Sequence, residues 1–282
     1  MTATISYASD EVLAFYKELP FNYRSTVENT VKAIKKQNML KAYPIVGDLI
    51  TEKSRILDVG CGAGWLSNSI AYHHGCSVTG IDFNPVAIER AQQVGTGLGV
   101  SSEFSVEDLF LYRPQNPFDM VISLGVLHHT KNCREALKTV ATHTVKQDGH
   151  IFIGLYHSYG RAPFLDYFDK LKQQGADEKK LFEAYKELHS TMTDETQLLS
   201  WFRDQVLHPH ETQHTLEMVV EVFEEAGIDL VSTSINRFEP ISSLETVYKT
   251  EKTYLEIGRQ KLKDKTYFPG FFVALGKKRV RP

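Results

Sequence analysis

From residue 54 onward, short β-rich apolar runs alternate with segments of helical period, the pattern of a parallel sheet with crossover helices. The runs at 55–59, 77–81, 102–106, 118–123 and 150–155 are predicted strands. A helix over 64–74 stops at Gly75. Asn84 caps a second helix, with Pro85 at its first position and Ile88, Ala91 and Gln92 along it. A third runs from about Asn132 to Val145, and Gln147-Asp148-Gly149 turns the chain into the fifth strand.

After Leu155 the alternation stops for nearly sixty residues rich in Tyr, Phe, His, Lys and Glu, which read as two or three short helices. Leu216, Val219, Val220 and Phe223 restore helical spacing up to Gly227, and a strand follows at 229–235. A charged amphipathic helix around 244–262 leads to a last strand at 271–275. The expectation is an α/β fold with a seven-stranded, mostly parallel, doubly wound sheet. Residues 1–50 form a helical N-terminal cap, 51–157 and 215–282 the core, and 158–214 a helical insert placed as a substrate lid.

Length and charge narrow the function. The 282 residues carry 32 Lys plus Arg against 35 Asp plus Glu, a formal charge of -3 that argues against a surface built mainly for nucleic acid. The basic stretches 32–41 and 277–281 read as solvated faces. Cys61, Cys76 and Cys133 contain no CxxC pair and leave one thiol over in any disulfide scheme, which suits a reducing compartment. No apolar run reaches the roughly 20 residues of a membrane span. A soluble cytoplasmic protein, monomeric or homodimeric, is expected.

The chemistry concentrates in Ile56-Leu57-Asp58-Val59-Gly60-Cys61-Gly62-Ala63-Gly64-Trp65, where a strand runs into a glycine turn and then a helix. Glycine at 60, 62 and 64 permits unusual dihedrals and close approach of backbone to a ligand. Asp82 directly follows the second strand, where a carboxylate can accept from both hydroxyls of a ribose. Asp108, in Val106-Glu107-Asp108-Leu109 after the third strand, can accept from an adenine amine. Trp65 stands where the dinucleotide fingerprint wants a third glycine, which favours a cofactor without phosphates.

With Phe118-Asp119-Met120-Val121-Ile122-Ser123, Leu124-Gly125-Val126-Leu127-His128-His129 and Val145-Lys146-Gln147-Asp148-Gly149-His150-Ile151, the chain resembles class I, Rossmann-like, S-adenosylmethionine-dependent methyltransferases. The likeness is close over 54–155 and looser over 215–276. It implies S-adenosyl-L-methionine as cofactor, with S-adenosyl-L-homocysteine as product. The turn from Asp58 through Gly60, Cys61, Gly62 and Gly64 would lie along the methionine part, Asp82 on ribose and Asp108 on adenine. Phe83, Glu107, Leu109 and Leu124 complete the expected set. Cys61 is assigned to packing.

His129 matches a position commonly histidine in small-molecule members of that family, and His157 follows the fifth strand. Both are candidate bases, with capping or packing as the other reading of each. Tyr16, Tyr23, Tyr156, Arg161, His210 and His214 are candidate acceptor contacts, Arg161 hinting at a carboxylated acceptor. Tyr16 and Tyr23 serve equally to staple the extension to the sheet. His208, His210 and His214 permit a metal by spacing, but no matching ligand set is evident elsewhere, so none is expected. Trp201-Phe202-Arg203-Asp204-Gln205 continues that wall.

The expected activity is methyl transfer to an oxygen or nitrogen of a small polar metabolite. A protein or peptide methyltransferase and a non-catalytic S-adenosylmethionine-binding protein are the alternatives. Ser123-Leu124-Gly125-Val126 stands where base and amide methylases of the Asp/Asn-Pro-Pro-aromatic type carry their motif, and there is no Pro-Cys nucleophile.

Overall fold

The computed structural model describes residues 10–24, 26–189 and 192–280. Among these, seven strands form one sheet: β1 (Arg55–Val59), β2 (Ser77–Asp82), β3 (Ser102–Val106), β4 (Phe118–Leu124), β5 (Val145–Tyr156), β6 (Ile228–Thr233) and β7 (Phe271–Lys278). Their order is β3-β2-β1-β4-β5-β7-β6, parallel except for β7, which runs antiparallel between β5 and β6. This is the expected α/β sheet.

The helices are α1 (Asp10–Glu18), α2 (Val27–Lys36), the short α3 (Pro44–Gly47), α4 (Trp65–His74), α5 (Pro85–Leu98) and α6 (Cys133–His143). They continue as α7 (Ser158–Gln173), α8 (Glu178–Leu188), α9 (Glu195–Phe202), α10 (Leu216–Glu225), α11 (Leu244–Glu251) and α12 (Tyr254–Lys263). Successive strand residues serve opposite faces. Leu57, Val59, Val121 and Ile151 pack with α6 and α10 on one side, whereas Ile56, Val78, Met120 and Phe152 meet Leu40, Val46 and Ile70 on the other. Burial on both faces is why these strands are apolar at consecutive positions, each enclosed aliphatic side chain contributing about 1.5–3 kcal/mol.

Three elements differ from the sequence expectation. β5 pairs from Val145, opposite Phe118; Gln147-Asp148-Gly149 is a bulge with Asp148 at φ 63°, and pairing resumes at His150 opposite Met120. The stretch 244–262 is two helices, and the break follows Glu251, whose carboxylate is turned inward to accept from the Leu216 N–H at 2.5 Å. β6 ends at Thr233, whose hydroxyl donates to the Val273 carbonyl (2.7 Å) and accepts from the Ile235 N–H (3.3 Å), which starts a 3-10 turn.

Helices α7, α8 and α9 share a core of their own, Phe164, Phe168, Leu181, Tyr185, Leu198 and Phe202 among its members. α9 runs on into a wider π turn, Arg203–Leu207. In the N-terminal segment, Ile34 of α2 packs on Val94 and Leu98 of α5. Among the described residues no helix is long and apolar enough to cross a membrane.

Candidate active site

The sheet order reverses between β1 and β4, and in open α/β sheets ligands bind at the carboxyl ends of the strands flanking such a point. There the chain turns through Gly60, Gly62 and Gly64 with φ of 74°, 52° and 73°. A Cβ on Gly60 would lie 2.4 Å from Val126 Cγ1, and one on Gly64 2.7 Å from Ala91 Cβ, so the protein's own packing demands both glycines. Gly62 differs: a Cβ there meets nothing within 4 Å, and the same is true of Gly125 after β4.

Hydrogen bonds tie three strand ends together. Gly60 and Cys61 N–H donate to the Ile81 carbonyl (2.7 and 3.0 Å), and Glu107 N–H donates to the Asp82 carbonyl (3.0 Å). Asp82 Oδ2 accepts from Gly62 N–H and Oδ1 from Asn84 N–H, both at 2.9 Å. Burial raises its pKa and these backbone donors oppose the rise. Asp58 accepts from Ser67 Oγ at 2.5 Å; burial lifts it to about 6, with Ser67 pulling down and Asp82 adding a smaller push upward. Asp108 is half-buried and its Oδ1 takes the Phe110 N–H (2.9 Å). Glu107 is exposed, Phe83 and Leu124 are half-buried, and Leu109 packs on the main core. Burial, reinforced by Asp82 and Asp58, pushes the Cys61 thiol far up, so it is no nucleophile.

Beyond β4 lies a second, buried polar cluster. His129 Nδ1 lies 3.0 Å from the His210 carbonyl. A carbonyl can only accept, so Nδ1 carries the proton and Nε2 a lone pair. That Nε2 is buried without a hydrogen-bond partner and lies 3.7 Å from Asp204 Oδ1. Burial lowers His129 to about 4, leaving the ring neutral at physiological pH. Asp204 accepts from the Tyr16 hydroxyl (2.5 Å) and the Tyr156 hydroxyl (3.3 Å), and burial raises its own pKa. His208 stacks on His129 with ring centroids 3.8 Å apart. The Tyr16 carbonyl accepts from Asn84 Nδ2 (2.9 Å), so α1 reaches from the Asp82 turn to this cluster.

Tyr16, His129 and Tyr156 are thus brought together; other sequence candidates are not. His157 is fully buried, its Nε2 3.0 Å from Glu251 and its Nδ1 accepting from Gly160 N–H (3.2 Å). It caps α7 and has no lone pair left for a substrate, which corrects its assignment as a base. Arg161 is equally enclosed: Nε and Nη2 grip Glu211 at 2.9 and 2.6 Å, Nη2 also meets the Gln205 carbonyl, and the guanidinium lies 3.9 Å from the Tyr156 ring centroid. It cannot also receive an acceptor carboxylate, and that expectation falls. Tyr23 is held by Arg90, the stapling alternative.

The three imidazoles considered for a metal diverge. His208 Nδ1 accepts from His210 N–H, His210 Nε2 lies 3.0 Å from the Thr130 carbonyl, and His214 Nε2 lies 2.8 Å from Thr212 Oγ1. Neither His210 nor His214 joins the Asp204 cluster through these bonds. Asp204, Ser67 and Gly125 escaped the sequence reading as individual site residues. An acid in a helical stretch reads as exposed, and nothing in the spacing marks Asp204 as buried.

A family model described as a methyltransferase domain matches residues 31–233. The chain belongs to this methyltransferase family. The ubiquinone biosynthesis O-methyltransferase of Aeromonas salmonicida is 29% identical over 152 residues, 49% of this chain and 63% of that enzyme. Phosphoethanolamine N-methyltransferase 1 of Arabidopsis thaliana is 27% identical over 176 residues, 61% of this chain and 33% of that enzyme. Each match therefore spans less than two thirds of the relative's length. PKMT2 from Rickettsia typhi superposes with a TM-score of 0.60 at 15% identity, over 98% of this chain and 54% of that one, an agreement in fold. The resemblance implies S-adenosyl-L-methionine as cofactor, and the residues present fit it. Gly62 and Gly125 leave open space on either side of the switch point, and Asp82 retains lone pairs beyond its two backbone bonds.

Proposed function

We propose that the protein transfers the methyl group of S-adenosyl-L-methionine to an oxygen or nitrogen of a small polar metabolite, with His129 accepting the proton. Bound at the β1 and β4 ends, the cofactor supplies an already activated sulfonium methyl. Gly62 and Gly125 give it room, Asp82 takes its ribose, and Asp108 and Leu109 border its adenine. The chain's contribution is alignment, exclusion of water and proton removal.

The observation that carries this reading is the His129 tautomer: the His210 carbonyl fixes a lone pair on Nε2, and that atom is buried, unpartnered and 3.7 Å from a carboxylate able to stabilise the imidazolium. The two curated relatives named above, an O- and an N-methyltransferase of small molecules, support the same class. The insert 158–214 and residues 10–24 serve as the lid. His129→Asn should lower turnover by about 10² to 10⁴ with S-adenosyl-L-homocysteine affinity unchanged by calorimetry. The assay is transfer of labelled methyl into a fractionated extract; turnover equal to the parent's removes His129 from the mechanism.

A further inference from the structure

Arg203, Asp204 and Gln205 follow one another in the π turn after α9, and their side chains are bonded in three different places. Arg203 pairs with Glu18, and the Asp204 carboxylate accepts from the Tyr16 and Tyr156 hydroxyls, 3.7 Å from His129 Nε2. Gln205 is bonded within the insert and to the segment before β7. Its Oε1 accepts from the Tyr185 hydroxyl of α8 (2.9 Å), and its Nε2 donates to the Tyr267 hydroxyl (2.6 Å). The residue is 5% exposed, and neither of these bonds reaches the His129 cluster.

The backbone of the turn is held as closely. The Gln205 carbonyl accepts from Arg161 Nη2 (2.7 Å) and the Val206 carbonyl from Lys172 Nζ (3.0 Å), so two side chains of α7 take carbonyls of the turn. π geometry is rare, and single π turns are found frequently at functional sites. It closes i→i+5 where an α-helix closes i→i+4, so a lapse to α geometry would re-aim Asp204 and Gln205 together. A buried amide with both ends satisfied resists that lapse, because moving it strands its own polar atoms and two tyrosine hydroxyls away from water.

Resting on the methyl-transfer reading above, we infer that Gln205 is a positioning residue for that reaction: its anchored amide fixes the π turn, and the turn keeps the Asp204 carboxylate where it steadies the His129 imidazolium. Gln205 acts through Asp204 and need not touch acceptor or cofactor. Distance is what makes it matter. The attraction between a carboxylate and an imidazolium falls as the two separate, and in a buried site little water is at hand to make up the loss. Misplacing a group by about 1 Å can cost about 10²-fold in rate. Gln205 therefore bears on the rate of proton removal and not on the affinity for either ligand.

The test follows labelled methyl transfer by the full chain into the extract fraction that the parent labels, at several dilutions of that fraction, beside Tm and S-adenosyl-L-homocysteine calorimetry. Gln205→Met keeps the bulk of the side chain and removes both of its hydrogen bonds. It should lower the maximal rate by about tenfold or more, with the half-saturating dilution and S-adenosyl-L-homocysteine affinity unmoved. Gln205→Glu still offers an oxygen to each tyrosine hydroxyl and should recover part of that rate. Asp204→Asn should also slow transfer. Combined with Gln205→Met it should be no more than about twofold slower than alone, the mark of two residues acting as a unit. Losses that multiply in the double variant, or Gln205→Met turning over at the parent's rate, overturn the proposal. So does Leu181→Ala, a cut in the insert's core, if it slows transfer as much for the same fall in Tm, since loosening of the insert then accounts for the loss. Asp204→Asn at the parent's rate overturns it too and leaves methyl transfer standing. A parent that neither labels any fraction nor binds S-adenosyl-L-homocysteine brings down the methyl-transfer reading and this one with it.

Discussion

Gly60 and Gly62 stand two positions apart in one turn, both in the left-handed region, yet they are constrained by different things. Gly60→Ala drives a Cβ into Val126 and should cost about 1–3 kcal/mol of stability; adding Val126→Ala should recover part of it. Gly62→Ala meets no protein atom and should lose only the left-handed penalty of about 1–2 kcal/mol, but it should weaken S-adenosyl-L-homocysteine binding by about tenfold or more. Thermal denaturation beside calorimetry separates the two. Asp58, in the same turn, carries a pH dependence. Its folded pKa of about 6 lies above the ordinary 3.8, so between those values the folded chain holds a proton that the unfolded chain has released. Its contribution therefore improves stability as pH falls from about 6 to about 4 and penalises the fold in full above 6. Asp58→Asn should gain on the parent by about 3 kcal/mol on going from pH 4 to above pH 6, less whatever the Ser67 bond returns. Urea denaturation of the two proteins across pH 4 to 8 checks this; curves that stay parallel would refute it.

At the level of elements, the Arg161–Glu211 pair fastens the start of α7 to the segment between the π turn and α10. Arg161 is fully enclosed and Glu211 nearly so, and breaking such a pair strands a buried charge. Arg161→Met should destabilise the fold by about 3–5 kcal/mol, visible as a fall in Tm. A substrate-binding arginine would instead raise KM and leave Tm unmoved. Why the sequence suggested otherwise is physical. The strands and the glycine turn are local, set by consecutive apolar residues and by dihedrals only glycine accepts readily, so they were legible. So was the placing of Asp82 at the carboxyl end of β2 and of His129 beyond β4. The use of His157 and Arg161 depends on Glu251 and Glu211, 94 and 50 residues away, and no periodicity reports such a partner. The break after Glu251 was hidden for the same reason: no helix-breaking residue marks it, and the partners of the inward Glu251 carboxylate, Leu216 and His157, lie far off in sequence. Asp204 was named only as part of a wall, because a buried acid looks like a solvated one until Tyr16 and Tyr156 are seen to donate to it.

Across the whole molecule, residues 10–24 join two bodies that the chain itself separates: the cofactor turn and the insert with its own aromatic core. On the insert side Tyr16 donates to Asp204, Glu18 pairs with Arg203 at 2.5 Å, and Asn22 Oδ1 accepts from Gln197 Nε2 (2.6 Å) and Trp201 Nε1 (3.0 Å). On the sheet side the Tyr16 carbonyl accepts from Asn84, and Tyr23 is held by Arg90. Phe15 packs on His208 and Phe21 on Trp201, but most ties of this strap are polar and some, such as Glu18–Arg203, reach the surface, so it should open at lower cost than the central strands. Under the proposed lid reading, ligand bound beneath the strap should raise the cost of opening it. With S-adenosyl-L-homocysteine at about 100 times its Kd the fold gains about 2.7 kcal/mol, and hydrogen exchange should slow most in residues 10–24 and 194–208. Tyr16→Phe removes the donor that ties the strap to Asp204 and should abolish much of that slowing in both segments, while protection at 60–64 persists. Higher salt should loosen the half-exposed Glu18–Arg203 pair and speed exchange of the strap before that of the insert core. Slowing confined to 60–64 and 82–84, in parent and variant alike, would mean that the strap stays shut or open regardless of ligand, and the lid assignment would fail.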